Sequence, residues 1–264
     1  MNKKMLTKIG TALLIIAIVV PPIMLGGIWL DLLCGAVILL GSYEIAGLKD
    51  ENSPQWPMTI LIVAVVFIMR YCGTEWFPVT AGVWIVILFI ISLFDETITS
   101  DQVVYTFTMT LVFVFALQAV SRIYSSGINW EGMLYVALAC YLCDTGAYFF
   151  GTFFGKHKMI PRVSPNKTWE GAIGGYFCGV AGSMLFGLFI SKTLPHDLVI
   201  VASFILPFIG AVGDLAFSQI KRRWGMKDFG SIFPGHGGVL DRVDSLLFCL
   251  MIFNALMIWK GIGL

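Results

Sequence analysis

The amino-acid sequence predicts an all-α polytopic membrane protein of about nine transmembrane helices, with the N-terminus cytoplasmic and the C-terminus outside. Three observations carry that prediction. Of 264 residues, 58% are hydrophobic and only 12% charged, against about 25% charged in soluble domains. The apolar residues gather into continuous runs of spanning length, without the alternation a barrel strand requires. The basic residues cluster in connections that share one side if successive runs alternate in direction.

Runs able to cross about 30 Å of hydrocarbon lie near residues 9–26, 28–47, 57–72, 77–94 and 103–121, then near 131–154, 169–190, 198–220 and 241–260. The first follows MNKKMLTK and mimics a signal peptide. No small-residue cleavage site follows, and Pro21-Pro22 leads into more apolar sequence, so it is expected to stay as a span. Gly26-Gly27 leaves a very short turn before the second run. Residues 1–125 hold about five of these helices and no chemical motif. Their acids (Asp31, Glu44, Asp50, Glu51, Glu75, Asp95, Glu96 and Asp101) fall at or near run ends and read as solvated end residues. Trp29, Trp56, Trp76 and Trp130 sit where interfacial aromatics belong. Residues 126–264 hold about four helices, with cytoplasmic loops at 155–168 and 221–240. The CxxC of Cys140 and Cys143 lies inside an apolar run and reads as small apolar filler rather than a redox or zinc pair.

Net charge is only +1, but it is spatially segregated. Lys3, Lys4 and Lys8 precede the first run; Lys156, Lys158, Arg162 and Lys167 fill the connection after the sixth. Lys221, Arg222, Arg223, Lys227 and Arg242 fill the connection after the eighth. Alternation from a cytoplasmic N-terminus puts all three clusters, and Lys49, on that side. Arg70, Arg122, Lys192 and Lys260 are left for the opposite face. Basic residues divided among short connections give no support to nucleic-acid binding.

Four segments carry chemistry. Asp144 lies well inside the sixth run, where a carboxylate is costly unless it faces a polar cavity or a cation; Tyr148 and Gly151 share its helical face. Ser164-Pro165 makes a good helix N-cap and first-turn proline, and Thr168 could cap instead if the helix starts later. Either start leaves backbone N–H groups beside Lys167, a natural anion site. Asp214, Ser218 and Lys221 form one stripe on the eighth helix, which suits a metal ion and a phosphate together. In PGHGGVLDRVDS (234–245), Pro234 and the glycines hold off regular helix until Val239, so His236 rides a tight loop. Asp241 and Asp244, three apart, project to one side. Two such carboxylates repel unless a divalent cation lies by them, and oxygen-only ligation with phosphate partners favours Mg2+ over zinc.

From Ser218 to Asp244 the chain closely resembles the signature of the phosphatidate cytidylyltransferases, the membrane CDP-diacylglycerol synthases. The matching positions are Ser218, Ile220, Lys221-Arg222, Lys227-Asp228, Gly230, Phe233-Pro234, His236-Gly237-Gly238, Asp241-Arg242 and Asp244. The elements at 144–151 and 164–171 resemble the same family. The resemblance implies transfer of CMP from CTP to phosphatidic acid, giving CDP-diacylglycerol and pyrophosphate. It further implies a homodimer in a bacterial inner (plasma) membrane with its active site facing the cytoplasm. Dependence on Mg2+ is implied too, as one or two ions with room for a second, monovalent cation. On this reading Asp214 and Asp241 hold the metal, with Asp244 and Asp144 as further ligands or close support. Lys221, Lys227, Asp228 and His236 join Asp214 and Asp241 in the catalytic set. Ser164, Asn166, Lys167, Thr168, Ser218, Arg222, Gly237, Gly238 and Arg242 bind the two substrates. The rival readings are a membrane cytidylyl- or phosphotransferase acting on another lipid phosphate, and an ion-coupled transporter.

Overall fold

The computed structural model describes residues 3–47, 55–73, 75–233 and 237–263. Among them the chain forms α1 (Lys3–Leu25), α2 (Gly27–Ala46), α3 (Trp56–Tyr71), α4 (Phe77–Phe94), α5 (Ser100–Ser125) and α6 (Asn129–Phe154). A short hairpin of β1 (Lys158–Ile160) and β2 (Ser164–Thr168) follows. Then come α7 (Trp169–Leu185), a π-helical turn over Phe186–Ile190, α8 (His196–Arg223) and α9 (Leu240–Trp259). Seven of these described helices are long and apolar enough to cross a membrane: α2, α4, α5, α6, α7 with its π turn, α8 and α9. Two apolar stretches are shorter, Leu13–Leu25 of α1 and all of α3. The 16 residues of α3 reach about 24 Å at 1.5 Å per residue.

Local signals explain the boundaries. Gly26 and Gly27 both take positive φ (65° and 53°), which reverses the chain between α1 and α2 within a residue or two. Thr99 and Gln102 close a capping box at the start of α5. The hairpin was not among the expected elements. It pairs Lys158 with Thr168 and Ile160 with Ser164 in antiparallel register. Its formation also decides the start of the seventh helix. Ser164 becomes a strand residue, and Thr168 is the cap, its Oγ1 accepting from Gly171 N at 3.2 Å.

Contacts at the helix ends sort the termini into two sets. Arg223, closing α8, pairs with Asp101 at the start of α5 at 2.6 Å, and Glu44 near the end of α2 meets the start of α9. At the other end, Arg122 of α5 donates to Asn254 of α9 at 2.8 Å. Lys260 pairs there with Asp197 of the first turn of α8 at 2.5 Å. Glu131, in the first turn of α6, accepts from Ser191, Lys192 and Thr193 between α7 and α8. The hairpin and the α8–α9 connection, with their basic residues, therefore share the first end.

Helix α5 is the most enclosed of the candidate spans and α4 the least. The tightest pairing is α6 with α7. Gly171, Gly175 and Gly179 recur every fourth residue on α7 and press against α6, the small-residue seam that lets membrane helices approach closely. A Cβ on Gly175 would stand 2.4 Å from the Cys143 carbonyl oxygen, and one on Gly171 2.7 Å from that of Ala147. Buried Tyr135 ties α6 to α8, bonding Val199 O at 2.9 Å and Ser203 Oγ at 2.8 Å. Gly175→Ala is predicted to destabilise the protein by about 1–3 kcal/mol through overpacking. Gly82→Ala on α4, where a Cβ meets nothing within 4 Å, should stay within about 0.5 kcal/mol. Thermal unfolding in detergent compares the two.

Candidate active site

The close α6–α7 seam ends where Thr168 packs on Gly151 and Gly155, which delivers β2 and Lys167 to the mouth of a cavity of about 700 Å3. That volume lies in the ordinary range for small-molecule sites. Its walls are built from α6, β2, the start of α7, the lower part of α8 and the first turn of α9. Asp144, Tyr148 and Gly151 all face it, as their common helical face predicts.

Four aspartates converge here from three helices: Asp144 on α6, Asp214 on α8, and Asp241 and Asp244 on α9. Gly213 makes part of this possible, since its bare Cα lets Phe248 and the Asp244 carbonyl of α9 come close to α8. Clustered carboxylates at the end of an apolar bundle need counter-charge, and two lysines supply it. Lys167 Nζ lies 2.5 Å from Asp214 Oδ2, while Ser218 Oγ donates to Asp214 Oδ1 at 3.3 Å. Lys221 Nζ reaches Asp241 Oδ1 at 2.7 Å and lies over the Phe229 ring. The second oxygen of Asp241 accepts from Phe229 N at 2.7 Å and Gly238 N at 3.0 Å. Asp241 is thus buried with three donors on about four lone-pair positions. Asp144 lies within electrostatic range of Asp214, Asp244 and Lys167, and the buried Ser245 hydroxyl beside it makes no well-formed hydrogen bond.

The donor set is all oxygen, as a hard divalent ion prefers. Among the described residues, however, no compact group of three ligands closes into a finished cage. An open set of carboxylates can hold a hard divalent ion that completes its shell with water and ligand oxygens.

The expected site residues are placed unequally. Asp144, Asn166, Lys167, Thr168, Asp214 and Lys221 line the cavity, and so do Asp228, Asp241, Arg242 and Asp244. Ser164, Ser218, Arg222, Lys227, Gly237 and Gly238 do not. Ser218 reaches the site only by its hydrogen bond to Asp214. Arg222 spends its guanidinium on the Val163 carbonyl at 3.3 Å and that of Met226 at 3.0 Å, so it fastens the hairpin to the end of α8. Gly237, at φ 83°, and Gly238 turn toward protein carboxylates instead of the cavity. Pro234 and His236 lie outside the described residues, as do Lys49, Asp50 and Glu51.

One acid corrects the sequence reading outright. Glu44 is not a solvated end residue: it is 2% exposed. Its Oε1 accepts from Val239 N and its Oε2 from Leu240 N, both at 2.7 Å, so a side chain of α2 caps α9 across 195 positions of sequence. A Cβ on Gly238 would come within 2.3 Å of Glu44 Oε1, which explains the glycine there. No local pattern could reveal this, since the cap and the helix it caps lie at opposite ends of the chain.

Comparison with known proteins identifies the family of the chain. The chain matches the family described as the cytidylyltransferase family over residues 6–259. It is 32% identical to the phosphatidate cytidylyltransferase of Staphylococcus epidermidis over 252 residues, covering 94% of this chain and 97% of that one. Against the Staphylococcus aureus protein of the same name the identity is 33% over 270 residues, covering 95% and 99%. From the transmembrane bundle to the aspartate-lined cavity, this chain belongs to the cytidylyltransferase family.

Proposed function

We propose that the protein is a phosphatidate cytidylyltransferase, which transfers CMP from CTP to phosphatidic acid at the cytoplasmic face of a bacterial inner membrane. One observation carries the reading beyond family membership: five aspartates, two lysines and Arg242 share one cavity at the basic end of an apolar bundle. Both substrates are polyanions and one is a lipid, so their reaction needs cationic groups at bilayer level. The relatives' names supply the identity of the lipid.

In the reaction a phosphate oxygen of phosphatidic acid attacks the α-phosphorus of CTP. That P–O bond forms as the bond from the α-phosphorus to the bridging oxygen breaks, and pyrophosphate leaves. The attacking oxygen is already anionic at neutral pH, so no residue has to withdraw a proton. The work left to the chain is alignment and charge neutralisation. Asp214 and Asp241, supported by Asp144 and Asp244, would hold Mg2+, as one or two ions, which when bound neutralises phosphate charge and polarises the α-phosphoryl group. Lys167 and Lys221 now supply the positive charge for Asp214 and Asp241. Each ammonium therefore stands within a side-chain swing of the phosphates that a nucleotide would bring. Arg242 is exposed at the cavity and would meet the lipid phosphate or the leaving pyrophosphate. Exposed Lys227 and Asp228 flank the approach.

Detergent-solubilised protein should release pyrophosphate from CTP only when phosphatidic acid and Mg2+ are both present. Release with a polyprenyl phosphate, and none with phosphatidic acid, would move the assignment to another lipid phosphate. Asp214→Asn should lower turnover by about 100-fold or more while the protein still folds, because this side chain is partly exposed. The two lysines should separate in a stability measurement. Breaking the buried Lys221–Asp241 pair with Lys221→Met should cost about 3–5 kcal/mol. Lys167→Met, at a more exposed pair, should cost about 1 kcal/mol or less while still impairing turnover.

A further inference from the structure

We infer that Glu44 is a positioning residue for the reaction: from α2 it sets the first turn of α9, and through it the direction in which Asp241 and Asp244 face the cavity. The inference rests on the function proposed above and adds to it a residue outside the C-terminal motifs.

The argument starts from unsatisfied donors. A helix begins with backbone N–H groups that have no partner within the helix. Val239, the residue before α9, offers no side-chain cap. Val239 and Leu240 are both buried, so water does not serve their N–H groups. Glu44 takes both, one on each oxygen at 2.7 Å. The N–H just before them, on Gly238, goes to Asp241 Oδ2. Three consecutive N–H groups are thus divided between two carboxylates, one fixed from α2 and the other belonging to the proposed site.

The consequence for Asp241 is mechanical. It lies in the first turn of α9, one residue beyond the backbone that Glu44 grips. If that grip loosens, the turn can fray, and the bonds from Gly238 N and Phe229 N that aim Asp241 lose their register. Lys221 is tied to the same carboxylate. Displacing a reacting group by about 1 Å can cost about 100-fold in rate. The surrounding glycines leave Glu44 little freedom to sit elsewhere: a Cβ on Gly230 would be 2.9 Å from its Oε1 and one on Gly238 closer still. Charge matters as well as shape. A carboxylate offers only acceptors to two N–H groups at a helix N-terminus, where negative charge is favoured. Glutamine keeps the shape, but its NH2 confronts one of the two donors.

The test is Glu44→Gln and Glu44→Asp in full-length detergent-solubilised protein, with kcat, KM for CTP and the Mg2+ activation midpoint each normalised to folded protein. We expect Glu44→Gln to lower kcat about 10-fold or more and to raise the Mg2+ midpoint, with KM for CTP changed about two-fold or less. Glu44→Asp, which keeps both acceptors, should recover part of kcat. Folded Glu44→Gln with wild-type kcat and Mg2+ midpoint would overturn the inference, even if its unfolding temperature were lower. Hydrogen exchange on the wild-type protein covers the case in which neither variant folds. The Val239 and Leu240 amides should be as protected as the interior of α9, and exchange at solvent rates would refute the clasp. A wild-type protein inactive on CTP and phosphatidic acid would instead defeat the proposed function, leaving the exchange result to judge the clasp alone.

Discussion

Asp241 accepts on both oxygens, from Lys221 Nζ on one side and from the Phe229 and Gly238 amides on the other. A carboxylate this deep in an apolar protein is stable only when ionic and hydrogen-bonding partners replace the water it has lost. Those partners come from the end of α8 and from both ends of the α8–α9 connection, at Phe229 and Gly238, while Asp241 itself belongs to α9. Satisfying one charge therefore fixes three segments relative to each other. The geometry of the neighbouring carboxylates follows, because Asp244 rides the same helix one turn on and Asp214 adjoins Gly213, which packs against Phe248 and the Asp244 carbonyl of α9.

A second constraint comes from the opposite wall. Glycines at every fourth residue of α7 bring its backbone onto α6, and the seam runs out at Thr168, whose side chain caps α7 against Gly151 and Gly155. That contact leaves Lys167 one residue from a fixed point and in reach of Asp214. The hairpin of β1 and β2 is held from the α8 side by Arg222 on the Val163 carbonyl. Both lysines that neutralise the cavity are thus carried on backbone anchored by close packing. Each ammonium ends on a carboxylate that lines the cavity, Lys167 on Asp214 and Lys221 on Asp241. The N-terminal half joins this arrangement through Glu44 and through the Asp101–Arg223 pair.

What could be read from sequence was what is written locally. Hydropathy located α6 and α7 within a residue or two, because continuous apolar runs need no knowledge of neighbours: 131–154 was expected for Asn129–Phe154, and 169–190 for Trp169–Ile190. The shared faces of Asp144 with Tyr148, and of Asp241 with Asp244, follow from helical spacing and hold in the structure. Partners across helices were not legible. Asp214 and Lys221 lie on one stripe of α8, yet each finds its ionic partner on another element, Asp214 with Lys167 and Lys221 with Asp241. The β hairpin is too short to leave a periodic pattern. The resemblance puts Gly238 among the substrate-binding positions, and no local signal showed that a side chain there would meet Glu44.

The central claim is that aspartates from α8 and α9 jointly receive a divalent cation together with CTP. Crystals grown with CTP and Mn2+ in place of Mg2+ test it most directly, through the anomalous signal of the metal. The account predicts an ion between Asp214 and Asp241 at about 2.0–2.3 Å from carboxylate oxygens, with Lys167 or Lys221 turned toward the nucleotide phosphates. An ion bound elsewhere, or CTP seated with both lysine–aspartate pairs intact and no metal near them, would contradict it.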